Sequence, residues 1–192
     1  MVQFSRWIFL LSLFAATFAT PVKRTGVQVE ADITSISTQV TNLDNAIQAF
    51  PATGGSLFGT SIAALLNTIH TDTTSLETTL NQGTSDVTAT GALGETVGRI
   101  ILSAVEALEP TILDALMQIA AKQPAFVCHF TAALPIGGIP ALILQDLQTL
   151  KTETVAFANA LIADLPADLK AEATTLANKI TNGFNIAIAV YQ

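Results

Sequence analysis

The chain has 192 residues; half are hydrophobic, yet only 6% are aromatic and 12% charged, about half the usual charged share. Its net charge is −7, and Arg6, Lys23 and Arg24 all precede the first acid, Glu30, so a product starting at Thr25 keeps 5 of the 8 basic residues against 15 acids, a net −10. That excludes nucleic acid as a partner, because phosphate binding needs a basic patch, and the single cysteine, Cys128, excludes an intrachain disulfide.

The length suits one domain with its own core. Its apolar content is Ala, Leu, Ile and Val, which favours packed helices over an aromatic-rich β fold. The polar surface must come from Thr, Ser, Asn and Gln. Such a surface suits an extracellular, O-glycosylated protein, and equally contact with apolar material. Burial as a small hydrophobe is the expected fate of Cys128, with an interchain disulfide as the alternative.

Met1 to Ala19 has the features of a secretory signal peptide: Arg6, an apolar run from Trp7 to Phe14 too short to span a bilayer, and small residues at the cleavage site. Residues 20–26 read as a short processed or disordered leader in which Lys23-Arg24 suits a dibasic processing protease. Residues 27–192 are the expected domain.

From Gln28 to Phe50, Val29, Ile33, Ile36, Val40, Leu43, Ile47 and Phe50 repeat at alternating steps of four and three, a seven-residue helical seam. Pro51 ends it, and Gly54-Gly55 marks a turn. A second helix is expected over Leu57–Leu80, stopped at Gln82-Gly83. Thr84 to Asp86 would then cap a third over Asp86–Leu108. Gly91, Gly94 and Gly98 weaken the first half of that helix by up to about 1 kcal/mol each. Glu109-Pro110 predicts a break before a shorter helix over Thr111–Lys122. Gln123 to Ile139 reads as a long, apolar irregular stretch. Pro140–Leu165 is the helix around which the others are expected to gather. Its stripe is Ile143, Leu147, Leu150, Phe157 and Leu161, with Thr154 in a gap, and Pro166 stops it. Asp168–Val190 completes the set, with Ile186 to Val190 apolar on all sides and so expected to be buried. No GPI or transmembrane tail is expected after it. The fold class is therefore all-α, a bundle of five to six amphipathic helices.

Little in the residues points to catalysis. His70 and His129 lie far apart without a metal-ligand spacing, and a structural role is expected for His70. Asp164 and Asp168 flank Pro166 and suit a helix start better than a catalytic pair. Adjacent Cys128 and His129 do not place a base beside a nucleophile. Expected catalytic residues, metal ligands and cofactors are none. An apolar guest between helices needs only a greasy slot. Ten buried methylenes contribute about 8 kcal/mol before ordering costs. The positions expected to line such a slot are Phe58, Leu65, Ile69, Thr73, Ile101, Val105, Leu116, Leu150, Thr154, Phe157, Leu161, Ile180 and Phe184. Thr73 and Thr154 interrupt two stripes and suit a head group, although the favoured reading is that each hydroxyl bonds back to its own helix.

The Ile33–Phe50 helix, Lys122-Gln-Pro-Ala-Phe126, Leu147-Gln-Thr-Leu150-Lys151, Phe157-Ala-Asn-Ala-Leu-Ile162 and Phe184–Tyr191 together resemble the fungal hydrophobic surface binding protein A family, which includes cell-wall galactomannoproteins. The resemblance runs from about Val27 to Tyr191. It implies a secreted or wall-associated helical protein that coats hydrophobic surfaces or holds fatty acids in a bundle cavity. Its implied partners are fatty acids, other apolar ligands and surfaces, and cell-wall polysaccharide. The chain lacks the Ser/Thr-rich tail of some wall-bound members, so a secreted form is expected. It has no Asn-x-Ser/Thr sequon, so glycans would be O-linked. The expected function is non-catalytic binding of apolar ligands; the alternative is a structural wall mannoprotein, for surface coating, adhesion or as an antigen, with no bound lipid.

Overall fold

A computed structural model describes residues 25–51, 60–128 and 138–192, excepting the side chains of 60, 61, 127 and 128. The expected signal peptide, the leader through Arg24, Gly54-Gly55, Phe58, the side chain of Cys128, and His129 lie outside the described residues. Among the described residues there are six helices and no strand: α1 Gly26–Ala49, α2 Thr60–Thr90, α3 Glu95–Ala121, α4 Gln123–Cys128, α5 Gly138–Asp164 and α6 Lys170–Val190. The expected all-α bundle is the observed one.

The seam of α1 is buried along its whole length, from Val29 to Phe50. So is the α5 stripe of Ile143, Leu147, Leu150, Phe157 and Leu161. Five long helices close into a ring. α1 touches α2, α2 touches α5, α5 touches α6, α6 touches α3, and α3 touches α1. Side-chain pairs set the directions. Gln39 bonds Thr79 and Asp32 lies beside Gly83, so α1 and α2 are antiparallel. His70 meets Asp146 and Gly83 meets Phe157, so α2 and α5 are parallel. Arg99 meets Asp168 and Lys179 meets Glu109, so α3 and α6 are parallel too. α4 is a plug that touches α3 and α5 at one end.

Several expected boundaries are corrected. α2 does not stop at Gln82-Gly83; it continues to Thr90. Gly83 is a helical contact residue: a Cβ there would come within 2.9 Å of the Phe157 ring, so its absence lets α2 and α5 approach. The stop is Gly91, whose φ of +69° is the left-handed conformation that ends helices. α3 begins at Glu95 rather than Asp86 and runs through Pro110 without the expected break. Proline removes the hydrogen bond to the carbonyl four residues back. Here Pro110 and Glu106 are both exposed, so water can satisfy that carbonyl, while Leu108 and Leu116 hold the helix from inside. The expected irregular stretch contains α4. Ile186 to Val190 is not wholly buried: Ala187 and Ile188 are, but Ile186 is 60% and Val190 41% exposed. Asp164 ends α5, and Leu169 rather than Asp168 occupies the cap of α6.

Polar pins close the α4 end. The Lys122 ammonium donates to the carbonyls of Ile47 at 2.6 Å, Gln48 at 2.8 Å, and Phe50. These are acceptors at the end of α1, where a cation also meets the negative end of the helix dipole. Burial pushes the Lys122 pKa down, but three acceptors hold its protons. Phe50 stacks on Phe126 with ring centroids 4.3 Å apart. The Tyr191 hydroxyl donates to the Ile119 carbonyl at 2.6 Å and ties the end of α6 to α3. At the other end the Leu93 amide donates to the Asp164 carbonyl at 2.8 Å, joining the loop after α2 to the corner after α5.

Two stability outcomes follow from these seams. Lys122→Met leaves three carbonyls at the end of α1 without their donor and is expected to cost about 2–3 kcal/mol, read as a lower denaturant midpoint. Asp44, on α1, is 8% exposed and accepts from Gln48 at 2.8 Å. Burial, then the nearby Asp114, raise its pKa against a smaller lowering by Gln48. A carboxyl whose folded pKa is raised contributes most below its unfolded pKa, and that contribution is lost as pH rises through the folded value. Asp44→Asn should therefore raise the Tm at pH 7 and leave it unchanged at pH 3.

Candidate functional site

Inside the ring lies a cavity of about 100 Å³. All five long helices wall it: Ile33, Ile36 and Val40 from α1, Leu76 and Leu80 from α2, Ile101, Leu102, Val105, Leu108 and Ile112 from α3. α5 adds Thr154, Phe157, Ala158, Leu161 and Ile162, with Leu165 just beyond its end, and α6 adds Ala173, Leu176, Ala177, Ile180 and Phe184. These residues belong to the half of the bundle that faces Leu93 and Leu165. The space exists where short side chains replace long ones: Thr154 and Ala158 on α5, Ala173 and Ala177 on α6. In the other half Leu43, Ile47, Ile69, Leu116, Ile119 and Leu150 are buried outside the cavity wall.

Seven of the positions expected from sequence line this cavity together: Ile101, Val105, Thr154, Phe157, Leu161, Ile180 and Phe184. Leu65, Ile69, Thr73, Leu116 and Leu150 face the core but are not part of its lining. Phe58 lies outside the described residues. Periodicity does not mark the α1 residues as part of a cavity wall, since a perfect heptad reads as a packing seam. Nor does it mark the alanines, which do not stand out in an Ala-rich chain.

Among the described residues the lining carries no charge. Thr154 is its one polar side chain among the described residues. Thr73 bonds back to the Ile69 carbonyl at 2.8 Å. Thr149 and Thr152, on the same helix as Thr154, bond back to Gln145 and Gln148 at 3.1 and 2.9 Å. Among the described residues the Thr154 hydroxyl has no hydrogen-bond partner.

Titratable groups stand outside the cavity. His70 Nδ1 lies 3.1 Å from Asp146 Oδ2 on the α2–α5 face. Burial raises the Asp146 pKa and His70 offsets part of it. Burial, then Asp146 and Glu153, raise Glu77 on the same face. Arg99 pairs with Glu95 and Asp168 at 2.9 and 3.0 Å, and Lys179 lies 3.6 Å from Glu109. Among the described residues no cluster of three or more His, Cys, Asp or Glu is placed to hold a metal, and no helix is long and apolar enough to cross a membrane. The arrangement can desolvate an apolar molecule and offer it one hydroxyl.

Comparison with known proteins agrees with this geometry. The family model for hydrophobic surface binding protein A matches residues 26–163. No functionally curated protein matches the sequence. Among solved structures, Afmp4p in complex with palmitic acid superposes with a TM-score of 0.75 at 24% identity, over 87% of this chain and 99% of that one. Ligand binding domain 1 of Penicillium marneffei MP1 protein, complexed with arachidonic acids, gives 0.72 at 17% identity, over 87% and 99%. Domain 2 of the same protein, complexed with multiple arachidonic acids, gives 0.66 at 18%, over 88% and 97%. These likenesses establish the fold.

Proposed function

The chain belongs to the hydrophobic surface binding protein A family, and from that premise we propose that it is a secreted, non-catalytic carrier of fatty acids or similar apolar molecules, held inside the five-helix ring. The observation that carries the reading is the cavity wall: apolar from every helix, with one hydroxyl. Support comes from the fold shared with proteins solved around palmitic and arachidonic acids. The signal-peptide features of Met1 to Ala19 support secretion, and the many exposed threonines offer sites for O-linked glycans.

The energetics favour such a guest. Each methylene buried contributes about 0.8 kcal/mol, and a dry apolar wall requires no polar group to lose its water. A cavity of about 100 Å³ holds only part of a long acyl chain, so binding one requires the helices to part. The α5–α6 seam, where Ala158, Ala173 and Ala177 leave space, is the place for that movement. A second reading, coating of apolar surfaces, rests on a different observation: Met117 on α3, with Ile186 on α6, is more than half exposed.

The two readings separate in one experiment. Delipidated protein spanning residues 25–192, titrated with palmitate, should give a stoichiometric acyl adduct by native mass spectrometry. Its stability should rise by about 2.7 kcal/mol at a hundredfold excess over Kd. Ala158→Leu and Ala177→Leu fill the cavity and should abolish both effects while leaving the helical circular dichroism intact. A bare mass and an unmoved Tm for the unaltered chain would sink the carrier reading and leave surface coating, which adsorption at an alkane–water interface would test.

A further inference from the structure

The cavity has a chemical selectivity that its apolar character alone does not specify. A carboxylate brought into it would meet no cation. Among the described residues no charged or titratable side chain lines it. Most of the cations of the described residues are engaged elsewhere. Lys122 is held by three carbonyls at the end of α1. Arg99 is shared between Glu95 and Asp168, Lys179 faces Glu109, and Lys170 donates to the Ala163 carbonyl at 2.7 Å. Lys151 lies three residues before Thr154, but it lines an outer groove with Gln148, Thr152 and Val155. An anion without a partner in such a site is strongly disfavoured, and the equilibrium shifts to its neutral form.

The one group that can recognise a polar atom is the Thr154 hydroxyl. It is a donor and an acceptor at once, and it has no partner among the described residues. Its neighbours Thr149 and Thr152 close back on their own helix and so are spent. We propose that the cavity selects uncharged amphiphiles bearing one hydroxyl-sized polar group, such as a protonated fatty acid or a fatty alcohol, with Thr154 as the hydrogen-bonding point, and that it excludes the carboxylate form. This rests on the carrier reading above and deepens it, assigning ligand charge state and one specificity residue.

The test is a matched ten-carbon series of decane, 1-decanol and decanoic acid, measured by calorimetry with the delipidated chain at pH 5 and pH 8. Decanol should bind with the same Kd at both values and tighter than decane. The apparent Kd of decanoic acid should weaken about tenfold for each pH unit above the acid's own pKa. Thr154→Val should erase the preference for decanol over decane, a loss of about fivefold, without weakening decane. Thr154→Ser should retain the preference. The proposal is overturned if decanoate binds as tightly at pH 8 as at pH 5, if Lys151→Met selectively weakens it at pH 8, or if Thr154→Val strengthens all three ligands alike. If none of the three binds, the carrier reading itself falls.

Discussion

Everything in this structure depends on closing five one-sided helices into a ring. None of them is apolar all round, so each must turn its stripe inward. With neighbouring helix axes about 9 Å apart, the centre of a regular five-membered ring lies roughly 7.7 Å from every axis, while a helix with its side chains reaches only about 5–6 Å. The centre is filled only where side chains are long. Leu43, Ile47, Ile69, Leu116 and Leu150 fill one half. In the other half Thr154, Ala158, Ala173 and Ala177 fall short, and the cavity is what remains. The cavity is thus a product of ring size and of a few short residues, and needs no binding motif.

The ring must also be held shut, with few charges available to do it. Threonine hydroxyls on the outer faces mostly bond to the carbonyl four residues back, as Thr34, Thr38 and Thr41 do on α1. These three satisfy themselves and cross-link nothing, whereas Thr79 also accepts from Gln39 across the α1–α2 side. The helix ends are linked instead by a handful of buried donors: Lys122 on the end of α1, Tyr191 on the end of α3, and the Leu93 amide on Asp164. All lie at the two ends of the bundle. The long sides are held mainly by apolar packing, the kind of contact that can slide and reseal, with a few polar pairs beside it: Gln39–Thr79, His70–Asp146 and Lys179–Glu109.

That distribution explains what the sequence could and could not reveal. The inward face of each helix was legible, because its signal is a period: Val29 to Phe50 and Ile143 to Leu161 are buried as their spacing requires. The height of a residue along the bundle has no periodic signal. Phe157 and Leu150 belong to one stripe, yet the first lines the cavity and the second does not. Only the register between α5 and its neighbours separates them. Helix ends failed where local rules met tertiary contacts. Gly83 looks like a stop but is a notch for Phe157. Pro110 looks like a break but leaves its orphan carbonyl on the wet side. Lys122 could not be recognised as a cap at all, since its acceptors lie more than 70 residues away.

The empty ring and the filled one are linked by one quantity. An unfilled cavity costs a fold about 24 cal/mol per Å³, so about 100 Å³ leaves roughly 2–3 kcal/mol of packing unrealised. A guest that fits recovers it. Because the wall is largely apolar, water gains little there, so an apolar guest meets little competition from solvent. Filling the same space with leucine would recover the energy permanently and remove the reason to bind anything. The short residues on α5 and α6 therefore lower the stability of the empty protein in the same measure that they favour the loaded one. On the carrier reading, the capacity to hold an apolar molecule is an incompletely packed core.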